Sequence, residues 1–321
     1  MNFAAARDRH YNRAMPVIGL DLGGTKLGAA IFNHRGEILR KSVVPVGGRN
    51  GAQVCKLVTD ELKRMFVAAR AQRIKIRGIG VSVPGISYAK TGRVWAPNIP
   101  GWAHPGGIPL RREMLDSVPD KKIPMTIDSD RACCVLGEAW RGAARGCRNA
   151  IFLAVGTGIG AGVLVDGKVL RGANGSAGAI GWLALDRPFR PEYKSCGCFE
   201  YHASGAGLVK ALNSGRRRAE EVFHDFDSGD PAARRVLSEA VQLWGMAAAN
   251  LVSLFNPEKI IFGGGVFGPA RKLLPQILAE AGQWAQPVAM RQVKFEISKL
   301  GGDAGLYGAG CLALRASKKT G

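Results

Sequence analysis

Two kinds of apolar pattern alternate along this chain. Short apolar runs, typical of buried strands, are followed by segments in which apolar residues recur every three or four positions, as on one face of a helix. The segments that we predict to be strands lie at residues 17–20, 27–32, 37–44, 79–83, 151–155, 161–165, 168–170 and 260–262. The helical period is clearest over residues 51–72 and 232–255. Strands that alternate with helices in this way predict an α/β fold.

The first supersecondary unit occurs twice. A strand, a glycine-rich turn, a second strand, a tight turn and a third strand run through residues 17–44. The same order returns over residues 151–170, about 135 residues later. An internal repeat of this kind predicts two similar lobes, each of which carries one glycine turn.

The composition indicates a folded chain with a strongly basic character. Of its 321 residues, 46% are hydrophobic, and 45 lysines and arginines against 25 aspartates and glutamates give a net charge of +20. This apolar content excludes a mainly disordered chain, and no run approaches the roughly 18 apolar residues of a membrane span. The charge favours either a solvated basic surface or a polyanionic partner such as nucleic acid. Since no nucleic-acid-binding motif accompanies it, we predict neither a nucleic-acid nor a membrane partner.

The cysteines and the beginning of the chain indicate a reducing compartment. Seven cysteines are an odd number, and a chain of this size does not need disulfides for stability. Residues 1–15 lack the apolar stretch of a signal peptide, and we predict them to be a disordered tail. Together these features predict a cytoplasmic protein.

Two glycine turns carry the first candidate chemistry, because glycine lets backbone N–H groups approach phosphate oxygens without a Cβ atom in the way. One such turn alone is typical of an ordinary hairpin, whereas two at equivalent positions of a repeat favour phosphate binding. Neither fits a dinucleotide-binding fingerprint, which requires a helix where a strand follows here. The candidate phosphate-binding residues are Asp21, Gly23, Gly24, Thr25 and Lys26 in the first turn and Gly156, Thr157, Gly158 and Gly160 in the second. Asp21 is suited to hold Mg²⁺ with its water shell, and Lys26 to face phosphate.

A third glycine cluster follows the predicted strand at residues 260–262. Ligands bind at strand ends in open α/β sheets, so Gly264 and Gly265 are candidates for contacts with a nucleoside. Close packing of the strand against a helix would also explain these glycines.

The order of these motifs resembles that of the ROK family, which groups sugar kinases with transcriptional repressors. The matching segments are DLGGTK (21–26), GIGVSVPG (78–85), APNIPGW (96–102), SDRACCVLGE (129–138), GTGIGAG (156–162), GCFEYHASG (197–205), IIFGGGV (260–266) and GDAGLYGA (302–309). The resemblance implies a two-lobed, actin-like (ribonuclease H-like) ATPase fold, with the ATP phosphates in a cleft between the glycine turns. It implies ATP and Mg²⁺ as cofactors, and a homodimer is a common form in the family.

The resemblance also implies where the lobes divide. Residues 16–130 are expected to form the first lobe, joined by a C-terminal helix at about 303–316. Residues 131–302 are expected to form the second lobe.

Asp130 falls on the catalytic base of the family. A sugar hydroxyl is a poor nucleophile, and a positioned carboxylate can accept its proton as it attacks the γ-phosphate. Taken alone, an aspartate near a helix start is more typical of an N-cap. The surrounding match to the family favours the catalytic role.

The sugar and zinc motifs depart from the family pattern. Ser129 stands where the family usually has asparagine, and Ala179 and Trp182 stand where it has a glutamate and a histidine. Two of the zinc cysteines are missing as well, so we predict no structural zinc. By resemblance, the candidate substrate-binding residues are Gly85, Asn98, Ser129, Asp130, Glu200 and Trp182. Trp182 could stack on a pyranose face or an apolar substituent.

These features predict an ATP-dependent sugar kinase of the glucokinase-like kind, which acts on a small-molecule hexose or hexose derivative. The C6 hydroxyl is the expected acceptor, and the altered sugar motif leaves the identity of the sugar open. One alternative is an inactive sugar or nucleotide sensor that has kept the fold. A repressor is less favoured, because only about 15 residues precede the first strand. Polyphosphate remains an alternative phosphoryl donor.

Overall fold

The computed structural model describes residues 15–213, 215 and 218–318, which form two compact units. Unit 1 holds the described residues of Met1–Gly142, Gly172–Ser176 and Asp303–Gly321. Unit 2 holds those of Ala143–Arg171 and Ala177–Gly302. The first unit thus continues past the expected end at residue 130, and nearly all of the predicted tail lies outside the described residues.

Unit 1 is built on a five-stranded sheet in the order β3-β2-β1-β4-β7. The strands of the unit are β1 (Val17–Leu22), β2 (Lys26–Phe32), β3 (Ile38–Pro45), β4 (Ile79–Val83), β5 (Ile86–Tyr88), β6 (Arg93–Trp95) and β7 (Met125–Ser129). Its helices are α1 (Gly51–Ala71), α2 (Leu110–Leu115), α3 (Asp130–Arg141) and α11 (Ala304–Ser317). Strands β5 and β6 form a separate hairpin.

The register of the parallel strands places the candidate acidic residues at one edge of the sheet. Asp21 of β1 lies opposite Ser82 of β4, and Ser82 lies opposite Asp128 of β7. The carboxyl ends of β1, β4 and β7 therefore meet, and α3 begins with Asp130 at the same edge. This edge is where open α/β sheets bind ligands.

Helix α1 covers the sheet with the apolar stripe that its sequence predicts. Val54, Val58, Leu62, Met65 and Ala69 are all buried in the core of unit 1. The Asn50 N–H donates to Oε1 of Gln53 over 3.2 Å at the start of the helix, which fixes where it begins.

Small residues explain why α11, at the end of the chain, packs within unit 1. A Cβ atom at Gly80 of β4 would overlap the carbonyl oxygen of Ala309 in α11. A Cβ atom at Gly308 would in turn overlap the carbonyl oxygen of Cys133 in α3. The backbones of β4, α3 and α11 approach so closely that only glycine fits at these positions. The same packing keeps α3 in unit 1, beyond the expected boundary.

Unit 2 repeats the same sheet topology, with the strand order β10-β9-β8-β11-β12. Its strands are β8 (Ala150–Val155), β9 (Ile159–Val165), β10 (Lys168–Val169), β11 (Lys259–Gly263) and β12 (Lys294–Ile297). Its helices are α4 (Tyr193–Cys196), α5 (Cys198–Ala203), α6 (Gly205–Leu212), α7 (Ala219–Asp227), α8 (Pro231–Phe255), α9 (Leu274–Trp284) and α10 (Pro287–Gln292). In both sheets the first strand pairs antiparallel with the second and parallel with the fourth, as the internal repeat predicts.

The long helix α8 organises the core of unit 2. Asp230 caps its first turn by accepting a hydrogen bond from the Ala233 N–H over 2.7 Å. Trp244, halfway along, is completely buried and donates from Nε1 to the carbonyl oxygen of Ala203 over 3.0 Å. That bond anchors the end of α5, which carries a candidate site residue. Within residues 15–318 apart from the undescribed positions, no helix combines the length and the apolarity needed to cross a membrane.

Candidate active site

The predicted site residues fall into two groups, one in each unit. The group in unit 1 comprises Asp21, Gly23, Gly24, Thr25, Lys26, Gly85, Asn98, Ser129 and Asp130. The group in unit 2 comprises Gly156, Thr157, Gly158, Gly160, Trp182, Glu200, Gly264 and Gly265.

The first glycine turn links β1 to β2. The Gly23 N–H donates to the carbonyl oxygen of Lys26 over 2.9 Å, which closes the turn. Gly24, Thr25 and Lys26 are exposed at its tip. A Cβ atom at Gly24 would meet no atom of the described residues within 4 Å. The tip can therefore present its backbone and the Lys26 ammonium to an anion.

Asp21 lies at the base of this turn. Its Oδ1 is 2.6 Å from the position that a Cβ atom would take at Gly305, so the carboxylate rests against the first turn of α11. Burial raises the pKa of Asp21 to about 6, an effect that the Ser82 hydroxyl and Lys26 reduce and the charge of Asp130 increases. Desolvation is thus the main cost of ionising this half-buried carboxylate, and a bound cation would reduce that cost.

Asp130 is the first residue of α3, but it does not cap the helix. The cap is its neighbour Ser129, whose Oγ accepts a hydrogen bond from the Ala132 N–H over 3.3 Å. Oδ1 of Asp130 accepts a hydrogen bond from the Arg131 N–H over 2.7 Å. Burial raises the pKa of Asp130, and the positive charge of Arg131 partly offsets this. Helix capping therefore does not account for Asp130, and a raised pKa brings a carboxylate nearer to the range of an effective general base.

The other two predicted substrate residues of unit 1 lie in turns around the β5–β6 hairpin. Gly85 has a φ of +83°, and a Cβ atom there would overlap the carbonyl oxygen of Trp95. The turn itself therefore requires glycine. Ser87 Oγ donates to the carbonyl oxygen of Ile127 over 3.0 Å, which fixes the hairpin beside β7. Asn98 is exposed in the turn after β6, where it can contact a ligand.

In unit 2 the second glycine turn borders a cavity of about 440 Å³. Gly156 and Thr157 line this cavity together with Gly265. Gly264 has a φ of +88°, and a Cβ atom there would overlap the carbonyl oxygen of Val155, so packing requires this glycine. A Cβ atom at Gly265 would meet no described atom within 4 Å. Gly264 therefore turns the chain, whereas Gly265 keeps the cavity open.

Residues that the sequence patterns did not assign complete this cavity. Gly205, the first residue of α6, donates its N–H to the carbonyl oxygen of Gly156 over 2.8 Å. Val266 adds an apolar wall, and Arg218 lies 3.4 Å (Nε to Oε2) from Glu220 in an ion pair at the edge. A helix start beside a glycine turn and an apolar wall suits a phosphorylated ligand with a flat, partly apolar body. No helix is predicted at residue 205 from the sequence, so the structure alone reveals both this helix start and the turn that it faces.

Glu200 connects α5 to the second glycine turn. Its Oε2 accepts a hydrogen bond from the Ile159 N–H over 2.6 Å. A Cβ atom at Gly158 would be 2.7 Å from the same oxygen, so a side chain there would displace the carboxylate. Gly160 pairs with Ala154 in the β8–β9 ladder and extends the strand from the turn. Burial raises the pKa of Glu200, and the hydrogen bond from Ile159 opposes this rise.

Trp182 lies next to Glu200 in the packing of unit 2. It ends a 3₁₀ turn over Ile180–Trp182, and 57% of its surface is exposed. A Cβ atom at Gly197 would be 2.7 Å from the Trp182 Cα, and the Phe199 N–H donates to the carbonyl oxygen of Leu183 over 3.2 Å. The segment of Trp182 thus packs against the start of α5, while much of the indole remains accessible to a ligand.

The segment that departs from the zinc motif contains Cys196 and Cys198, both free thiols. In the part of the chain that the structure describes, no three Cys, His, Asp or Glu side chains are grouped so as to hold a metal ion. The lack of structural zinc remains a prediction.

The comparisons with known proteins agree on one family. The model described as the ROK family matches residues 17–316. A glucokinase from Halalkalibacterium halodurans is 32% identical over 317 residues, which cover 92% of this chain and 94% of that protein. A solved ROK hexokinase from Thermus thermophilus is 32% identical, with a TM-score of 0.78, over 95% of this chain and 100% of the other. A ROK family glucokinase from Streptomyces griseus, solved in complex with glucose and AMPPNP, is 27% identical, with a TM-score of 0.75. The match covers 94% of this chain and 99% of that protein.

These structural neighbours have the two-lobed, actin-like ATPase fold, and the α/β units described above match it. The predicted fold class is therefore confirmed. The first three strands of each five-stranded sheet correspond to the repeat that the sequence predicts.

Proposed function

Because this chain belongs to the ROK family, we propose that it is an ATP-dependent sugar kinase that transfers the γ-phosphate to the C6 hydroxyl of a hexose or hexose derivative. Its glucokinase and hexokinase relatives support a carbohydrate kinase. The family also contains repressors, so the proposal depends on the chemistry of the site in this chain.

The observation that carries the proposal is the cavity beside the second glycine turn. It combines the start of α6, the exposed Thr157 and an apolar wall at Val266, in a volume of about 440 Å³. Backbone N–H groups of the turn suit phosphate oxygens, and the wall suits a nucleoside. The Streptomyces griseus relative, solved with AMPPNP, supports ATP as the nucleotide.

In this mechanism Asp130 is the general base. Its half-buried carboxylate would accept the proton of the sugar hydroxyl as the hydroxyl oxygen attacks the phosphorus atom. Lys26 and the exposed first turn would hold the phosphate chain and offset its charge. Asp21 would fit a hard cation, because a bound cation would offset the desolvation that raises the pKa of this carboxyl. Mg²⁺ held there with phosphate oxygens would neutralise the charge that develops on the transferred group.

The sugar would be held by a set of residues that is only partly the usual one of the family. Glu200 and Asn98 supply polar groups, and Trp182 supplies an accessible aromatic face. An indole stacks well on the apolar face of a pyranose ring. We therefore propose that the chain prefers a hexose derivative whose substituent packs against Trp182, rather than glucose itself.

A substrate panel tests the proposal. Purified protein is assayed with hexoses, amino sugars and N-acylated sugars, with Mg-ATP or polyphosphate as donor, next to the Asp130→Asn variant. We expect turnover of at least one sugar with ATP that Asp130→Asn lowers by about 10²–10⁴-fold, the usual contribution of a general base. Sugar binding by calorimetry without turnover would instead support the sensor. Turnover that survives in Asp130→Asn would refute the assignment of the base.

A further inference from the structure

Three side chains of unit 2 form a hydrogen-bonded group, here called the Tyr193 cluster: Asp186, Tyr193 and His202. The Tyr193 hydroxyl oxygen is 3.0 Å from Oδ2 of Asp186 and 2.7 Å from Nε2 of His202. Nε2 of His202 is itself 3.3 Å from the same Asp186 oxygen. Tyr193 is buried, with 4% of its surface exposed. None of these residues belongs to the site predicted from the sequence.

The cluster has one consistent arrangement of protons. An ionised carboxylate can only accept hydrogen bonds, so the Tyr193 hydroxyl donates to Asp186. Burial raises the pKa of Tyr193 to about 12, and Asp186 adds to the rise, so the hydroxyl keeps its proton at neutral pH. Because the Tyr193 hydroxyl proton is donated to Asp186, the tyrosine oxygen can only accept a hydrogen bond from His202, which donates it from Nε2–H. Burial lowers the pKa of His202, which favours the neutral ring.

The cluster acts on α5, a helix of six residues. The C-terminal end of this helix is held by the bond from Trp244 Nε1 to the carbonyl oxygen of Ala203. His202 ties a second point of the helix to Tyr193, and the rings of Tyr193 and Tyr201 pack edge to face with centroids 5.3 Å apart. Two separate anchors fix how the helix is rotated about its own axis. Rotation of α5 decides where the Glu200 carboxylate points.

We propose that the Tyr193 cluster is a positioning device that holds Glu200 on the Ile159 N–H, and so couples the sugar-binding segment to the second glycine turn. Glu200 lies two residues before His202 on α5, and its Oε2 to Ile159 N distance is 2.6 Å. Loss of the cluster lets α5 rotate, which weakens this bond between two residues that are 41 positions apart in sequence. The effect on sugar affinity rests on the proposed kinase function, whereas the effect on the Ile159 amide does not.

The first experiment reads the Ile159 amide directly. Hydrogen exchange of the Ile159 N–H is measured in the wild type, in Tyr193→Phe and in the control Tyr201→Phe. The control removes the hydroxyl of Tyr201, whose ring lies on α5 and packs against Tyr193 but is outside the cluster. We expect exchange at least tenfold faster in Tyr193→Phe and within twofold of the wild type in Tyr201→Phe. Equal exchange in the two variants would overturn the proposal.

The second experiment separates positioning from general stability. His202→Gln keeps an N–H donor near the position of Nε2, whereas His202→Leu removes it. We expect His202→Leu and Tyr193→Phe to raise KM for the accepted sugar about tenfold with kcat within twofold, and His202→Gln to restore most of the loss. A fall in melting temperature with unchanged KM and unchanged Ile159 exchange would show a merely structural role and would refute the proposal. If the wild type phosphorylates no sugar, the proposed function fails, and Ile159 exchange alone decides on the cluster.

Discussion

Replacing Asp21 with asparagine should make the protein more stable at pH 8 and leave its stability at pH 4 almost unchanged. Burial raises the pKa of this carboxyl from 3.8 to about 6. The folded state therefore binds the proton more tightly than the unfolded state. The contribution of Asp21 to the free energy of unfolding is fully present below about pH 4. It decreases as the pH rises towards 6 and stays low above that.

The size of the effect follows from the shift in the pKa. Two pKa units correspond to about 3 kcal/mol, because each unit is worth 1.36 kcal/mol of free energy. In a domain of 150–250 residues, 1 kcal/mol moves the melting temperature by roughly 2–4 °C. The Asp21→Asn variant should therefore melt roughly 6–12 °C higher than the wild type at pH 8. In the proposed kinase, a bound cation would offset this cost by pairing with the ionised Asp21.

Thermal unfolding between pH 4 and 8, without nucleotide or Mg²⁺, tests this prediction. Asp116→Asn is the matched control, since the Asp116 side chain is 81% exposed and its loss should not change the pH dependence. Parallel curves for the wild type and Asp21→Asn would refute the reasoning. A variant less stable than the wild type at pH 8 would show that the interactions of Asp21 outweigh the cost of its burial.

Four further substitutions test other parts of the site. Gly265→Val should raise KM for ATP at least tenfold with an unchanged melting temperature, because the valine side chain enters the cavity without a clash. An unchanged KM would exclude the nucleotide from this cavity. Gly264→Ala should instead cost about 1–3 kcal/mol in urea unfolding, since φ is +88° there. Ser129→Ala should lose about 1 kcal/mol of stability with the helix cap but retain most of kcat. Asp130→Asn should instead keep its stability and lose most of kcat. Similar losses of stability in Ser129→Ala and Asp130→Asn would contradict the assignment of the helix cap to Ser129 and of the base to Asp130.

The elements that the sequence predicts well are those whose signal is local. The strand at Val17–Leu22 and the helix at Gly51–Ala71 lie within two residues of their predicted bounds. The strand is a mostly continuous apolar run, and the helix has apolar residues at a regular spacing along its buried face. Strand β7 was missed because its sequence, MTIDS, mixes polar and apolar residues. Its burial comes from lying beside β4 in the sheet, which no local pattern reports.

In the candidate site, too, the sequence does not report what depends on tertiary packing. Glycine spacing reveals both glycine turns, but it does not separate Gly264, which packing requires, from Gly265, which leaves space. The pattern around Asp130 did not show that Ser129 provides the helix cap. Arg218 and Glu220 join the cavity from a different segment, so only the tertiary structure brings them there. Sequence motifs locate the residues that touch a ligand more readily than the residues that enclose it.

Glu200 illustrates why one part of a sugar motif can persist while its neighbours change. Its Oε2 already accepts the Ile159 N–H, and that oxygen also occupies the space that a side chain at Gly158 would need. The carboxylate therefore supports the second glycine turn whatever sugar is bound. Among the described residues, no hydrogen bond joins Ala179 or Trp182 to that turn, so in the proposed kinase exchanging them would alter the sugar pocket and leave the bond between Glu200 and the turn in place. In the proposed kinase, selectivity for the sugar can thus change at Ala179 and Trp182 while Glu200 remains fixed by the turn that handles phosphate.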